Sequence, residues 1–269
     1  MISNSSNILS SDFYIKKYLI DAQDQLEESV LNEQDEDIIH IGFGLHDKDG
    51  HYSVWVGTVM QSILEHTDSR ICFHILHDET LSSDNRYKLE KVAYNGSSIV
   101  EFHKIDENDF SVVKNQMSRF TIGTMFRCSL PELLPNLNRI IYLDADLFVN
   151  RDIKELWDVD ICEYCLAGVA DEGVDIHNYP KILNKYPGIK KESYFNAGVL
   201  YMNLKKLREF GNLKKLVVDF LIENPEADLP DQDALNVLFH NKVLYLDGSW
   251  NQFVFMHRKD NVEKLDKSV

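Results

Sequence analysis

Two aspartates one residue apart, Asp144 and Asp146, close the apolar run Arg139-Ile140-Ile141-Tyr142-Leu143. Such a run reads as a buried strand, and in an open parallel sheet ligands bind just beyond the carboxyl ends of the strands. The intervening Ala145 puts both carboxylates on one side of an extended backbone. Two carboxylates converging there make an all-oxygen site suited to Mg2+ or Mn2+, and their mutual repulsion favours a bound cation. A bare D-x-D is most often a pair of exposed turn aspartates. The apolar strand in front of this one, in mid-chain, points to the metal instead.

The elements that must hold such a site alternate along the chain. Apolar patterning predicts strands over 38–44, 70–77, 98–103, 139–143, 166–170 and 195–203. It predicts helices over 52–66, over 84–94 with Ser82 or Ser83 as cap, over 124–134 with a break near Pro131, over 204–223 as one or two pieces, and over 231–239. This βαβα order implies an α/β fold, a mostly parallel sheet with helices on both faces. Ahead of it, Ile15, Leu19, Ala22, Leu26 and Val30 fall on one helical face. The expectation is an N-terminal helical appendage over 1–36, followed after an acidic run by a main domain over 37–269.

Composition narrows the partners. The 269 residues are 44% hydrophobic and 27% charged, proportions of a globular chain. A formal net charge of -16 argues against nucleic acid as a partner. A phosphate-bearing ligand would need local cations, and a carboxylate-held metal supplies them. Cys72, Cys128, Cys162 and Cys165 are too sparse for a disulfide framework. The C-x-x-C of Cys162 and Cys165 has no second ligand pair at zinc spacing, so buried, inert thiols are expected. No signal peptide and no membrane-spanning stretch is recognisable, which makes the cytoplasm the expected compartment. Between residues 181 and 215, nine Lys or Arg face two Glu. That excess is either a set of solvated helix faces or a surface for an anionic acceptor, a peripheral membrane contact or a protein partner.

Four blocks carry a family resemblance. The first is Ile39-His40-Ile41-Gly42-Phe43-Gly44, continuing through His51-Tyr52 to Ser62-Ile63-Leu64. The second is Tyr142-Leu143-Asp144-Ala145-Asp146-Leu147-Phe148-Val149, followed by Leu156-Trp157-Asp158. The third is Tyr194-Phe195-Asn196-Ala197-Gly198-Val199-Leu200-Tyr201-Met202-Asn203-Leu204, and the fourth Leu229-Pro230-Asp231-Gln232-Asp233-Ala234-Leu235-Asn236. In this order and spacing the chain resembles the family 8 glycosyltransferases, which include bacterial lipopolysaccharide galactosyl- and glucosyltransferases and are similar to glycogenin.

The resemblance implies a GT-A fold, a Rossmann-like, mostly parallel sheet flanked by helices. It implies a metal-dependent retaining transferase that moves a hexose, galactose or glucose, from a UDP-hexose donor to a glycan, glycolipid or glycoprotein acceptor. Phe43, Gly44 and Tyr52 would line the uracil and ribose pocket. Asp144 and Asp146 would ligate Mn2+ or Mg2+, with Asp144 also near the ribose. Arg127 would contact the donor, and Asn196 and Gly198 would sit beside the sugar. Asp231 would bind sugar hydroxyls, Gln232 would lie near the anomeric carbon, and Asp171 would stand on the acceptor side. Plainer roles compete: a surface ion pair for Arg127, a turn for Asn196, a helix N-cap for Asp231 and a core ring for Tyr52.

The family usually carries a late His-x-x-Gly-x-x-Lys-Pro-Trp block, and His257-Arg258-Lys259 has the wrong spacing for it. The chain is therefore expected to be an incomplete catalyst that needs a downstream segment or a partner. A catalytically incomplete UDP-sugar-binding or scaffolding module is the alternative. The first loop, 45–50, is longer than the usual form, and leaves open which of His46, Asp47 and Asp49 would contact a base. A haloacid-dehalogenase-like phosphatase also places D-x-D at a strand end, but its later Ser/Thr, Lys and acidic motifs are not found.

Overall fold

The computed structural model describes residues 38–117, 120–175 and 180–253. The expected appendage over 1–36 and the His257-Arg258-Lys259 stretch lie outside the described residues. Among the described residues seven strands form one sheet: β1 (Ile39–Leu45), β2 (Ile71–His77), β3 (Ile99–Lys104), β4 (Arg139–Leu143), β5 (Leu166–Ala170), β6 (Phe195–Asn203) and β7 (Val243–Tyr245). Their spatial order is β3-β2-β1-β4-β6-β5-β7. The helices are α1 (Tyr52–Leu64), α2 (Ser83–Asn95), α3 (Leu130–Leu133), α4 (Lys154–Trp157), α5 (Ile182–Lys185), α6 (Leu204–Phe210), α7 (Leu213–Glu223) and α8 (Pro230–Phe239).

β1 runs parallel to β2 and β4, β2 to β3, and β5 to β7, whereas β6 is antiparallel to β4 and β5. The sheet is thus mostly parallel and flanked by helices, as expected, with β6 as the reversed member. That reversal sets up the site. It brings the start of β6 beside the end of β4, where Asp144 N donates to Gly198 O at 2.8 Å.

Alternation along β1 sends Ile39, Ile41, Phe43 and Leu45 to one face of the sheet. There they pack with Phe73 and Ile75 of β2, with Val56, Val59 and Met60 of α1, and with Leu89 of α2. The opposite face is covered by a 3-10 segment, Ile122–Ser129, and by α6, α7 and α8, around Phe126, Leu130, Ile140, Tyr142 and Leu200. Ser82 caps α2, its hydroxyl accepting from Asn85 N at 3.2 Å. Pro131 does not break a long helix. The 3-10 segment ends first, and Pro131 opens the short α3, where its missing N–H costs nothing.

Side chains from α8 lock it to β6. Asn236 accepts from Phe195 N and donates to Phe195 O, both at 2.8 Å, and Tyr194 Oη donates to Asp233 at 2.6 Å. Burial pushes the Asp233 carboxyl up from 3.8 to about 6, against the hydrogen bonds from Tyr194 and Leu229 N. The folded chain therefore keeps a proton that the unfolded chain releases, so stability declines as pH rises from about 4 to about 6. Asp233→Asn is expected to flatten that slope in melting temperature against pH. Identical slopes in the two proteins would contradict it.

At the surface one expectation is corrected and one of two open readings loses support. Cys72, Cys128 and Cys165 are buried, but Cys162 is exposed, because the C-x-x-C lies in the turn ahead of β5 rather than inside the strand. A hydrogen bond and the charge of Asp160 push the Cys162 thiol up, so it stays protonated near neutral pH. Within the basic segment 181–215, Lys181, Lys185, Lys214 and Lys215 pair with Asp228, Glu226, Asp109 and Asp219. Arg208 donates to the carbonyls of Pro131, Leu134 and Leu137. The four lysines sit in surface ion pairs and Arg208 is held by carbonyls, so much of the segment's charge is opposed locally, which agrees with solvated helix faces. No helix among the described residues is long and apolar enough to cross a membrane.

Candidate active site

A cavity of about 730 Å3 opens where the ends of β4 and β5 meet the starts of β6 and α8. β4 delivers Asp144 and Asp146 to it, β5 delivers Asp171, and β6 delivers Asn196 and Gly198. The start of α8 adds Asp231 and Gln232, and the 3-10 segment adds Arg127. A separate cavity of about 460 Å3, lined by α1 and α2 with Phe148, gathers none of the expected site residues.

Arg127 is buried, not a surface cation. Its Nη2 donates to Asp144 Oδ1 at 2.7 Å, its Nε lies 3.2 Å from Asp231 Oδ2, and its Nη1 donates to Ala197 O. Nε also donates to Thr124 O at 2.9 Å, and the guanidinium lies 4.2 Å from the centre of the Tyr142 ring. Burial works against its charge, but Asp144, Tyr142 and Asp231 outweigh it and hold its pKa above the usual range. Burial pushes the Asp144 carboxyl up, Arg127 opposes that, and Asp231 and Asp146 add repulsion. Burial likewise raises Asp231 against the pull of Arg127. Asp231 sits inside the first turn of α8, whose N-cap is Leu229, so it is not the cap.

A second set of bonds forms one wall of the cavity. Asp171 Oδ2 accepts from Gln232 Nε2 at 2.8 Å and from Asn196 Nδ2 at 3.2 Å, while its Oδ1 accepts from Gly173 N at 2.7 Å. Gln232 Oε1 accepts from Ala197 N at 2.9 Å. Asn196 Oδ1 accepts from Gly198 N and from Asn251 Nδ2, both at 2.8 Å. Asn196 therefore braces the start of β6 and faces the cavity at once.

The donor set fits a hard divalent cation. Five aspartates, Asp144, Asp146, Asp171, Asp228 and Asp231, line the cavity against only Arg127 and Lys181. A diphosphate entering that field needs a cation. Gly198 keeps room for one beside Asp144: a Cβ there would lie 2.9 Å from Asn196 Oδ1 and 3.1 Å from Asp144 Oδ2. Asp146 is exposed at the rim, so the two carboxylates of the D-x-D are held differently, one by Arg127 and one facing solvent.

Three expected residues do not line this cavity. Phe43 is fully buried, 6.3 Å from Phe73 centre to centre, because β1 alternation turns it toward the α1 and α2 face. Gly44 faces the site side but lies beneath it, where a Cβ would stand 2.3 Å from Gly123 O. Only glycine lets the Arg127-bearing segment pack that close. Tyr52 is half-buried and packs tilted against Trp55, with ring centroids 4.9 Å apart. In the first loop Asp47 is buried, bonded to Ser53 N and Asn85, and His46 pairs with Asp78; Asp49 is exposed. Sequence reasoning missed Tyr142 as the platform for Arg127, and missed Asn251, Asp233 and Asn236 as supports. The alternation of Tyr142 with Ile141 and Leu143 was the available signal for the first of these.

A mostly parallel sheet whose D-x-D strand end meets a reversed strand and a helix start over one acidic cavity is the architecture of a GT-A glycosyltransferase. Residues 46–269 match Glycosyl transferase family 8, and the chain belongs to that family. A relative from Haemophilus influenzae is 30% identical over 203 residues, 76% of this chain and 61% of that protein. General stress protein A of Bacillus subtilis is 30% identical over 218 residues, 78% of this chain and 73% of that one. The lipopolysaccharide 1,3-galactosyltransferase of Salmonella typhimurium is 26% identical over 248 residues, 89% and 72% of the two chains. Among solved structures, the galactosyltransferase LgtC in complex with donor and acceptor sugar analogues superposes with a TM-score of 0.68 at 29% identity, covering 78% of this chain and 74% of that one. A further structure of LgtC, an active-site mutant in which a glutamine is changed to glutamate, gives 0.67.

Proposed function

We propose that this chain transfers a hexose, galactose or glucose, from a UDP-sugar to an acceptor hydroxyl, with retention and with Mn2+ or Mg2+ at Asp144 and Asp146. The observation that carries the reading is that one acidic cavity gathers the D-x-D, Arg127, Asn196, Gly198, Asp171, Asp231 and Gln232. The bound cation would neutralise diphosphate charge as the sugar leaves. Arg127 keeps Asp144 aimed, opposes the upward push of burial on its carboxyl, and reaches Asp231 at the start of α8. Asp171, Asn196 and Gln232, bonded to one another, present a prearranged polar wall to the sugar. Phe120 and Phe253 supply apolar surface on the same cavity.

Retention is best served by a front-face route. Such a route asks no protein group to attack the anomeric carbon, and Asp144, Asp171, Asp228 and Asp231, each accepting a donor from the protein, serve it as oriented polar groups. The bond from the anomeric carbon to the β-phosphate oxygen breaks, and the acceptor oxygen bonds to that carbon on the same face. The acceptor's proton passes to the departing phosphate oxygen. A glycan, glycolipid or glycoprotein hydroxyl is the proposed acceptor class, resting on the lipopolysaccharide transferase among the relatives.

The test is UDP release from UDP-galactose and UDP-glucose, each with Mn2+ and with a chelator. The expected outcome is release from one of the two donors that requires the metal. Metal-dependent binding of both without any release would favour a UDP-sugar-binding module instead.

A further inference from the structure

The edge of the sheet away from the cavity carries a second cluster of ligating side chains. His74 of β2 and Glu101 and His103 of β3 lie on one face, opposite Phe73 and Phe102, by strand alternation. Three of their atoms converge. His74 Nδ1 is 3.0 Å from His103 Nε2 and 3.4 Å from Glu101 Oε2, and His103 Nε2 is 3.6 Å from the same oxygen. A tetrahedral zinc ion with bonds of about 2.0–2.1 Å sets its ligand atoms about 3.3–3.4 Å apart. The triangle already has that size.

We propose that His74 Nδ1, His103 Nε2 and Glu101 form a second metal site, a His2Glu site for a zinc-like divalent transition ion that ties edge strand β3 to β2. The other ring nitrogen of His74 is held as well: Nε2 lies 2.8 Å from His40 Nδ1, and the two rings stack at 5.1 Å. With the metal on Nδ1, His74 Nε2 donates to His40 Nδ1, and that bond fixes the ring as second partners of metal-bound histidines do. The short contact between His74 and His103 is a hydrogen bond while one nitrogen carries the proton. It becomes a ligand pair when neither does.

His74 is buried, His103 is 17% exposed and Glu101 is 51% exposed, so the triangle opens on its Glu101 side for entry and for a fourth ligand. Two imidazoles select zinc-like ions over Mg2+ or Mn2+, which distinguishes this site from the all-oxygen Asp144/Asp146 pair. In sheet order β2 and β3 stand two and three places from β4. The inference does not depend on the proposed transfer reaction.

The experiment is a calorimetric titration with zinc alone on the full chain carrying Asp146→Asn, which weakens competition from the acidic cavity. One zinc equivalent is expected to bind, and Co2+ in its place should give the visible bands of a tetrahedral ion. Adding Glu101→Gln or His103→Ala should each weaken zinc by at least about tenfold, with metal-free melting unchanged in the half-exposed Glu101→Gln. Zinc binding unchanged by both substitutions would place the ion elsewhere, for instance at His46, Asp78 and Glu107, and overturn the proposal. So would the absence of zinc binding.

Discussion

Asp146→Asn is expected to abolish metal-dependent UDP binding and to lower hexose transfer by about a hundredfold to a thousandfold, the scale of losing a principal charge-stabilising group. The fold should be indifferent, because Asp146 is exposed at the cavity rim. Asp144 is a poorer probe. It holds Arg127 Nη2 at 2.7 Å, and Arg127 is buried. Leaving the buried Arg127 one carboxylate short destabilises the fold, so a loss of activity in Asp144→Asn would mix chemistry with instability. Calorimetry of UDP with and without Mn2+, together with melting temperatures, separates the two. UDP affinity in Asp146→Asn that is undiminished and independent of Mn2+ would rule out the assigned metal site.

Gln232→Ala should divide its effect unequally, lowering kcat by about tenfold to a hundredfold while UDP affinity changes by no more than about threefold. Gln232 makes two bonds at once, accepting from Ala197 N and donating to Asp171 Oδ2. Truncation leaves a buried N–H without its partner and frees Asp171 from the donor that orients it. Both defects lie on the wall proposed for the sugar, not on the D-x-D. Gln232→Glu gives a sharper readout. It keeps an acceptor for Ala197 N but sets a carboxylate against Asp171, so its kcat should recover as pH falls and the pair takes up a proton. Steady-state kinetics over pH, beside UDP titration, measure this. Equal losses in UDP binding and in kcat would remove Gln232 from the sugar site.

The sequence was most informative where chemistry follows one short run of chain. β4 and its D-x-D, β6 with Asn196 and Gly198, and the start of α8 with Asp231 and Gln232 each read directly from apolar runs ending in polar residues. The family blocks then brought them to one place. What stayed hidden depends on contacts across long separations. Arg127 itself is named by the family resemblance, but its burial and its two carboxylate partners appear only when β4 and α8 bring Asp144 and Asp231 to it. The Asp171, Asn196, Gln232 and Asn251 set joins four segments that no local spacing relates. β7 has three residues and owes its existence to pairing with β5, so no periodicity announces it. Phe43 was legible and misplaced: the period of two that turns Ile39 and Ile41 to the core turns Phe43 there too. Cys162 shows the converse, an apolar-looking neighbour of a strand that lies just outside it.

The most direct test of the central assignment is a crystal of this chain grown with Mn2+ and UDP, with anomalous data collected at the manganese edge. The account predicts one strong manganese peak within bonding distance of the Asp144 and Asp146 carboxylates, with the UDP diphosphate on the same ion. It also predicts Arg127 still bonded to Asp144 beneath them. UDP bound without manganese at these two residues, or lodged in the cavity lined by α1 and α2, would contradict it.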